Sequence, residues 1–418
     1  MTNFIFLFTL TVLITQALTP VAQAANPEHL EQLRTTNSCP QCDLTDADLI
    51  NANLQNANLS GAKLTGAKLT GANLTNANLR EAKLGVRQEG DVAIATDLQD
   101  ANLQGAILYG ADLSSAQLTR ANLQEAQLNY AKLKSANLEE ANLTRSRLLG
   151  ANLIEANLNA AQMELADISN ANLTDAQMRG ANLDTVNADN ANLSNADLRR
   201  VYLNQADLNG AILKGAKLQD AILLAANFQI ADLTGANLRG AVLQGTGLNR
   251  ANLTDTHLEG ADLTNAKLAI ANLTNAQLTG AKLQFAYLYN ANLTGANLEN
   301  VNLRDAQLTA ANLSGVNLQN AQLENADLTD ATLVGATLEN AGLIGAELIG
   351  TNLTYTNLTR CDLREANLMG ANLSYANLTE ADLRLASLIN ANLSSANLRN
   401  TNFKGANFKG AIGYSSNH

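Results

Sequence analysis

The chain has no tryptophan and only three prolines, three cysteines and three histidines in 418 residues, and aromatic side chains make up 4% of it. Without large rings it cannot fill a wide globular core, although a narrow core of repeated small and medium side chains remains open to it. It is also poor in positive charge: 27 Lys and Arg stand against 38 Asp and Glu, for a net charge of -11. Nucleic-acid binding draws most of its affinity from Lys and Arg on phosphates, so that class of partner is excluded. No G-x-S-x-G, phosphate-binding glycine loop or H-E-x-x-H occurs, and no enzyme chemistry or cofactor is indicated. The apolar fraction, 46%, is far too high for a disordered chain.

Residues 1–24 contain no charged side chain, and Phe4 to Leu18 is an apolar run interrupted only by Thr and Gln. Ala22-Gln23-Ala24 then supplies a small-x-small cleavage pattern, so 1–24 reads as a signal peptide and Ala25 as the new terminus. The run is short for a membrane span, and no Lys or Arg precedes it. Export to a periplasm or thylakoid lumen, or secretion, is expected, ahead of an uncleaved anchor or a cytoplasmic form. Stable membrane insertion is not expected.

From Cys42 to Leu84, and again from Thr96, the chain follows A-x-L-x-x. There are seventy-two centres, from Leu44 to Phe408, of which sixty-five are Leu, and the residue two earlier is Ala at fifty-nine. A helix would turn Ala and Leu onto nearly opposite faces, whereas in an extended segment residues two apart point the same way. Each pentapeptide is therefore a very short strand with Ala and Leu inward, followed by two turn-forming residues such as Thr-Gly or Ser-Gly. Every fourth repeat from Leu113 is distinctive. The residue after the centre is Ser or Thr in eleven of fifteen, and the residue before it is Asn in ten. The other three sides lack this regularity, which supports four sides and 20 residues per coil.

A-(N/D)-L-x-x in long tandem resembles the pentapeptide-repeat family over roughly residues 42–410. The resemblance implies an all-β fold, a right-handed quadrilateral parallel β-helix. About 18 coils spaced by about 4.8 Å would make a rod roughly 85 Å long. Exported, Asn-rich chains starting with Cys-Pro-x-Cys resemble members common in cyanobacteria.

The organisation expected is a cap at 25–41, repeats at 42–84, an inserted loop at 85–95, repeats at 96–410 and a tail at 411–418. Asn26-Pro27-Glu28 reads as a helix start, and a short helix from Pro27 to about Arg34 should cover the open end of the first coil. At the other end Phe403 and Phe408 replace Leu and are expected to plug the last coil. About nine residues of the insertion are surplus if the coil resumes on the next side, a register that puts Thr45 and Thr65 on the Ser/Thr-rich side.

Cys39 and Cys42 are a candidate disulfide capping the rod or a pair of structural thiols, ahead of metal binding or redox catalysis. Cys361 replaces an Ala and reads as a small buried side chain. His257, with Glu259 two residues on, reads as a surface pair. Outward carboxylates such as Asp262, Asp362 and Asp382 are expected to lie in solvated ladders, with no desolvation to shift their pKa values. The many Asn-Leu-Thr and Asn-Leu-Ser triplets are by-products of the repeat. Over the coils centred from Leu253 to Leu393 one side is uncharged. Its Thr254, Thr274, Thr294, Ser314, Thr354, Ser374 and Ser394 form a candidate interaction face, or simply a stabilising ladder. The side centred on Leu263 to Phe403 has nine charges. Phe285, Tyr287 and Tyr289 form a candidate partner patch, and Tyr355 and Tyr375 should stack at a corner.

A non-catalytic structural or protein-interaction rod outside the cytoplasm is the expected function, its partner a protein or a surface. Some members of the family resemble duplex DNA and bind topoisomerase. Duplex DNA carries about one charge per 1.7 Å, whereas a net charge of -11 over roughly 85 Å is about one per 8 Å, several-fold too sparse. Binding of ice, glycan or mineral through the uncharged Asn/Thr side is a further alternative.

Overall fold

The computed structural model describes residues 25–414; the expected signal peptide lies outside the described residues. Apart from one helix and one hairpin, these residues form single-residue parallel bridges separated by turns. Each bridge joins a residue to the one 20 positions on, as in Asn252↔Asn272↔Asn292↔Asn312. A pentapeptide therefore lies directly under the fourth one after it, and four five-residue sides close each coil. Ala and Leu fill the interior along the whole length; Ala271 and Leu273 are both buried.

The backbone accounting explains the repeat. In residues 251–255 all five N–H groups are used. Ala251 N donates to Leu248 O across the turn (3.1 Å), and Asn252 N to Ala231 O of the preceding coil (2.9 Å). Leu253 N and Asp255 N donate to Asn272 O and Thr274 O of the following coil (2.7 and 3.0 Å). The ladder leaves out only Thr254 N, which donates to the side-chain Oδ1 of Asn252 (3.2 Å). Asn or Asp before the central Leu thus accepts the one N–H that stacking cannot reach. The second turn residue adopts a left-handed conformation, the signature of a type II turn. Gly260 meets this at φ 66°, but Ile270 (φ 61°) is forced into a region that β-branched residues avoid.

Helix α1 (Pro27–Thr36) starts as expected, with the Asn26 side chain accepting from Glu28 N (2.9 Å). It runs two residues beyond the expected end at Arg34. The hydroxyls of Thr35 and Thr36 donate to Glu31 O and Gln32 O (both 2.8 Å), and left-handed Asn37 then stops it. Leu33 is buried against the first coil, and His29 Nδ1 accepts from Asp43 N (3.0 Å), closing part of that coil's edge. At the far end Tyr414 stacks on Phe408 (3.9 Å between centroids), and Phe403 meets both edge-on.

The insertion is a hairpin rather than an irregular loop. Strand β1 (Val86–Glu89) pairs antiparallel with β2 (Val92–Ala95), leaving Gly90-Asp91 as a two-residue turn. Arg87 reaches back two coils to Asp46 (3.0 Å) and also pairs with Glu89 (2.7 Å). At the hairpin base Thr96 takes an inward Ala position. Its hydroxyl lies 2.8 Å from Leu64 O and 2.9 Å from Gly85 O, and accepts from Gly66 N. Beyond it Lys68 pairs with Asp97, an offset of 29, so nine surplus residues are expelled and the ladder resumes on the next side.

Other inward hydroxyls are also paired: Thr351 donates to Leu328 O (2.8 Å) and Thr356 to Leu333 O (2.9 Å). Ser146 Oγ is buried with no partner among the described residues. Ser146→Ala is therefore expected to raise stability by about 1 kcal/mol, as an unpaired buried hydroxyl is removed. Leu273→Ala should instead cost about 2–5 kcal/mol through the cavity it leaves. Thermal or denaturant unfolding distinguishes the signs, and a clear loss for Ser146→Ala would contradict the assignment.

Candidate interaction faces

On the uncharged side the ladder of side chains is nearly closed on itself. Thr254 Oγ1 donates to Asn252 Oδ1 (2.7 Å) and accepts from Asn272 Nδ2 of the next coil (2.9 Å). Thr274 does the same with Asn272 (2.6 Å) and Asn292 (3.0 Å), and Thr294 donates to Asn292 (2.6 Å). Ser314, Thr354 and Ser374 each donate to the Asn two residues earlier (2.7, 2.6 and 2.8 Å). At Ser394 the backbone N–H donates to Asn392 Oδ1 (3.0 Å). Most of these hydroxyl protons therefore face inward along the ladder, and what remains outward is flat and uncharged.

The charged side cancels itself. Lys282 lies 3.7 Å from Asp262, Arg304 2.9 Å from Glu324, Arg364 2.7 Å from Asp362 and Arg384 2.6 Å from Asp382. The expectation of solvated, unshifted carboxylates fails at Asp262, whose side chain is only 18% exposed. Burial pushes its pKa up, but hydrogen bonds from Thr264, Gln244 and the Thr264 backbone, with the charge of Lys282, outweigh it and bring it below the usual value. Arg384 lowers the pKa of Asp382 mainly by hydrogen bonding, against burial. Carboxylates held ionised in this way are poor proton donors.

Phe285, Tyr287 and Tyr289 are all exposed and lie across one side of a single coil. Ile270, also exposed, extends the patch, since its N–H donates to Tyr289 O (2.9 Å). Sequence reading missed Ile270, and missed a second apolar stripe in which Tyr202, Ile222 and Val242 stack one per coil beside Leu224. Tyr355 and Tyr375 stack at a corner, 4.9 Å apart and inclined by 14°. The sulfurs of Cys39 and Cys42 are bonded, with their Cα atoms 5.4 Å apart, and both residues are buried beside the N-terminal helix. Cys361 is buried and donates to Leu338 O; burial pushes its thiol up to about 12, which makes it unreactive. His257 Nδ1 lies 3.3 Å from Glu259, whose carboxylate also takes Arg239 (2.8 Å). Among the described residues no group of side chains is arranged to hold a metal ion, and no helix is long and apolar enough to cross a membrane.

Asp197 is the most perturbed carboxylate. Hydrogen bonding from Arg199, opposed by burial and assisted by the Arg199 backbone and Arg179, lowers its pKa to about 2. Its stabilisation is present above the ordinary value of 3.8 and is lost as pH falls through about 2. Screened by solvent at the exposed guanidinium groups, it amounts to about 1 kcal/mol. Asp197→Asn should be less stable than the parent at pH 7, the gap closing between about pH 4 and 2. An unchanging gap in acid unfolding curves would contradict this.

The family model described as "Pentapeptide repeats (8 copies)" matches residues 42–81, 96–269, 271–343, 346–384 and 386–412. No curated protein matches the chain. Among solved structures, it is 36% identical to HetL, a pentapeptide repeat protein involved in heterocyst differentiation regulation from the cyanobacterium Nostoc sp. strain PCC 7120. That match covers 54% of this chain and 92% of HetL, with a TM-score of 0.22. It is 32% identical to Rfr23 of the cyanobacterium Cyanothece 51142, over 25% of this chain and 90% of Rfr23, with a TM-score of 0.23. A pentapeptide repeat protein from the Arabidopsis thaliana thylakoid lumen is 38% identical over 24% of this chain and 63% of its own, with a TM-score of 0.12. With its repeats matched along nearly the whole solenoid, the chain belongs to the pentapeptide-repeat family.

Proposed function

We propose that this chain is a non-catalytic, right-handed rod that works outside the cytoplasm by presenting its sides to a protein partner. The observation that carries this reading is the patch of Phe285, Tyr287, Tyr289 and Ile270, four large exposed side chains gathered on one side of the rod. Large aromatic and aliphatic side chains are the usual anchors of interfaces, and the shape of the rod makes this patch accessible. Export is supported by the apolar run ending in Ala22-Gln23-Ala24 and by the bonded Cys39 and Cys42, a linkage that suits an oxidising periplasm or lumen or the cell exterior.

A second reading places a repetitive surface such as ice, glycan or mineral, or a flat protein, on the uncharged side of Thr254, Thr274, Thr294, Ser314, Thr354, Ser374 and Ser394. It is favoured by the absence of charge to desolvate and weakened by the hydroxyls already engaged in the ladder. DNA mimicry toward a topoisomerase ranks lower still, because the charges on the densest side pair with one another rather than forming a negative stripe.

Two variants and a control separate the first two readings. Tyr287→Lys with Tyr289→Lys should lose the partner in pull-down from the native compartment. Changing Thr254, Thr274 and Thr294 to Lys should keep it, as should three lysines at Gln284, Glu324 and Ile344. Loss only on the Thr variant would transfer the docking role to the uncharged side. The compartment has its own test: N-terminal sequencing of the native protein should begin at Ala25, and an intact Met1 would refute cleavage.

A further inference from the structure

Helix α1 covers only part of the first coil. It closes the side that carries Asp43 through His29, and Thr36 and Gln32 engage Ser38 on the side before it. The next two sides, Ala47–Ile50 and Ala52–Gln55, have no strand of the described chain stacked beneath them, although Asn37 Nδ2 donates to Gln55 O at their far end (2.8 Å). Everywhere above, the residue before the central Leu donates its N–H down to the preceding coil and accepts through its C=O from that coil's Leu N–H. Asn73 N, for example, donates to Ala52 O (2.9 Å), and Leu54 N to Asn73 O (2.7 Å). The corresponding groups one level lower are Asp48 N, Asp48 O, Asn53 N and Asn53 O, with Ile50 O at the corner. None has a partner among the described residues. These groups border a groove of about 760 Å³ between the coil and α1, lined by Leu30, Leu49 and Ala52 together with the charged Glu31 and Arg34 of the helix, and rimmed by Ile50.

A strand edge on one wall, a helix on the other and leucine side chains between them is an arrangement that can take up an extended peptide as an added strand. We propose that this N-terminal mouth binds an extended segment of a partner polypeptide, running parallel to residues 47–55. The groups without a partner among the described residues specify its chemistry. Two backbone N–H donors must meet Asp48 O and Asn53 O, and the carbonyls two residues before them must accept from Asp48 N and Asn53 N. Those positions are five residues apart, and side chains there would face Leu49, Ala52 and Leu54, as the inward Ala and Leu of every coil above do. The occupant is therefore of the form small-x-Leu-x-x-small-x-Leu, with a turn-permissive residue in the middle. Main-chain pairing supplies affinity, and the two small and two Leu positions supply specificity. The site is separate from the aromatic patch, and its occupancy does not depend on that patch.

The probe is an acetylated and amidated octapeptide with the sequence of residues 291–298, Ala-Asn-Leu-Thr-Gly-Ala-Asn-Leu. Its binding to the purified protein is followed by fluorescence anisotropy of a terminal dye. The peptide should bind saturably, and methylating its two Leu nitrogens should weaken binding roughly tenfold or more, since two backbone bonds are lost. Ile50→Glu, at an exposed rim position that the fold does not need, should weaken it similarly. No saturable binding, or equal binding of the methylated peptide, overturns the proposal. So does undiminished binding to Ile50→Glu, which would place the peptide at the open C-terminal coil instead. Self-association abolished by Ile50→Glu would show that the mouth seats a second copy, and would equally overturn the peptide occupant.

Discussion

Everything in this molecule depends on the hydrogen bonds between successive coils. Three of the five N–H groups in a repeat bond to a neighbouring coil, one closes the turn and one goes to the side chain before the central Leu, as residues 251–255 show. No side is long enough to be a strand in isolation; each is stable only because another lies above or below it. This makes the 20-residue spacing obligatory. It also explains why nine surplus residues had to leave the ladder together, as a hairpin that pairs with itself and seals its base through Thr96.

The same constraint sets what the surface can be. Where Asn or Asp precedes the Leu it is occupied by its own turn, and Thr after the Leu is drawn into bonding with it. Variation enters where another residue takes the place before the Leu, as Tyr287, Tyr202, Ile222 and Val242 do, and at corners such as Phe285, Tyr355 and Tyr375. Even the corners are constrained: Phe285, Tyr355 and Ile270 all adopt the left-handed conformation that the turn requires.

Much of this was legible in the chain itself. Ala and Leu two apart excluded a helix, and the Ser/Thr bias at every fourth repeat counted the sides. That register also foretold the stacking of Tyr355 on Tyr375. The hairpin is written locally, in two short runs around Gly90-Asp91, but because it breaks the dominant pattern the sequence shows only an insertion there. Other features depended on neighbours that only the folded coil supplies. His29 meets Asp43 because α1 turns across the end, and Tyr414 joins Phe403 and Phe408 because the tail folds back. Ile270 enters the aromatic patch from the coil before it. The depressed pKa of Asp262, held against burial, comes first from Thr264, two residues on, but is deepened by Gln244 and Lys282 on adjoining coils, which no local motif connects to it. The apolar stripe could have been found at steps of 20, once the sides were being compared for apolar as well as polar residues.

The direction of the ladder has a mechanical consequence. The hydrogen bonds between coils run along the rod axis, so tension on the two ends loads one coil boundary at a time instead of shearing many together. Under such a pull the rod would unzip from an end in equal steps. Each released coil of 20 residues would lengthen from about 4.8 Å to roughly 70 Å of slack chain. A rod of this kind resists bending and side loads through its packed interior, yet yields at low force when drawn out lengthwise, acting as an extensible tether of stepwise length.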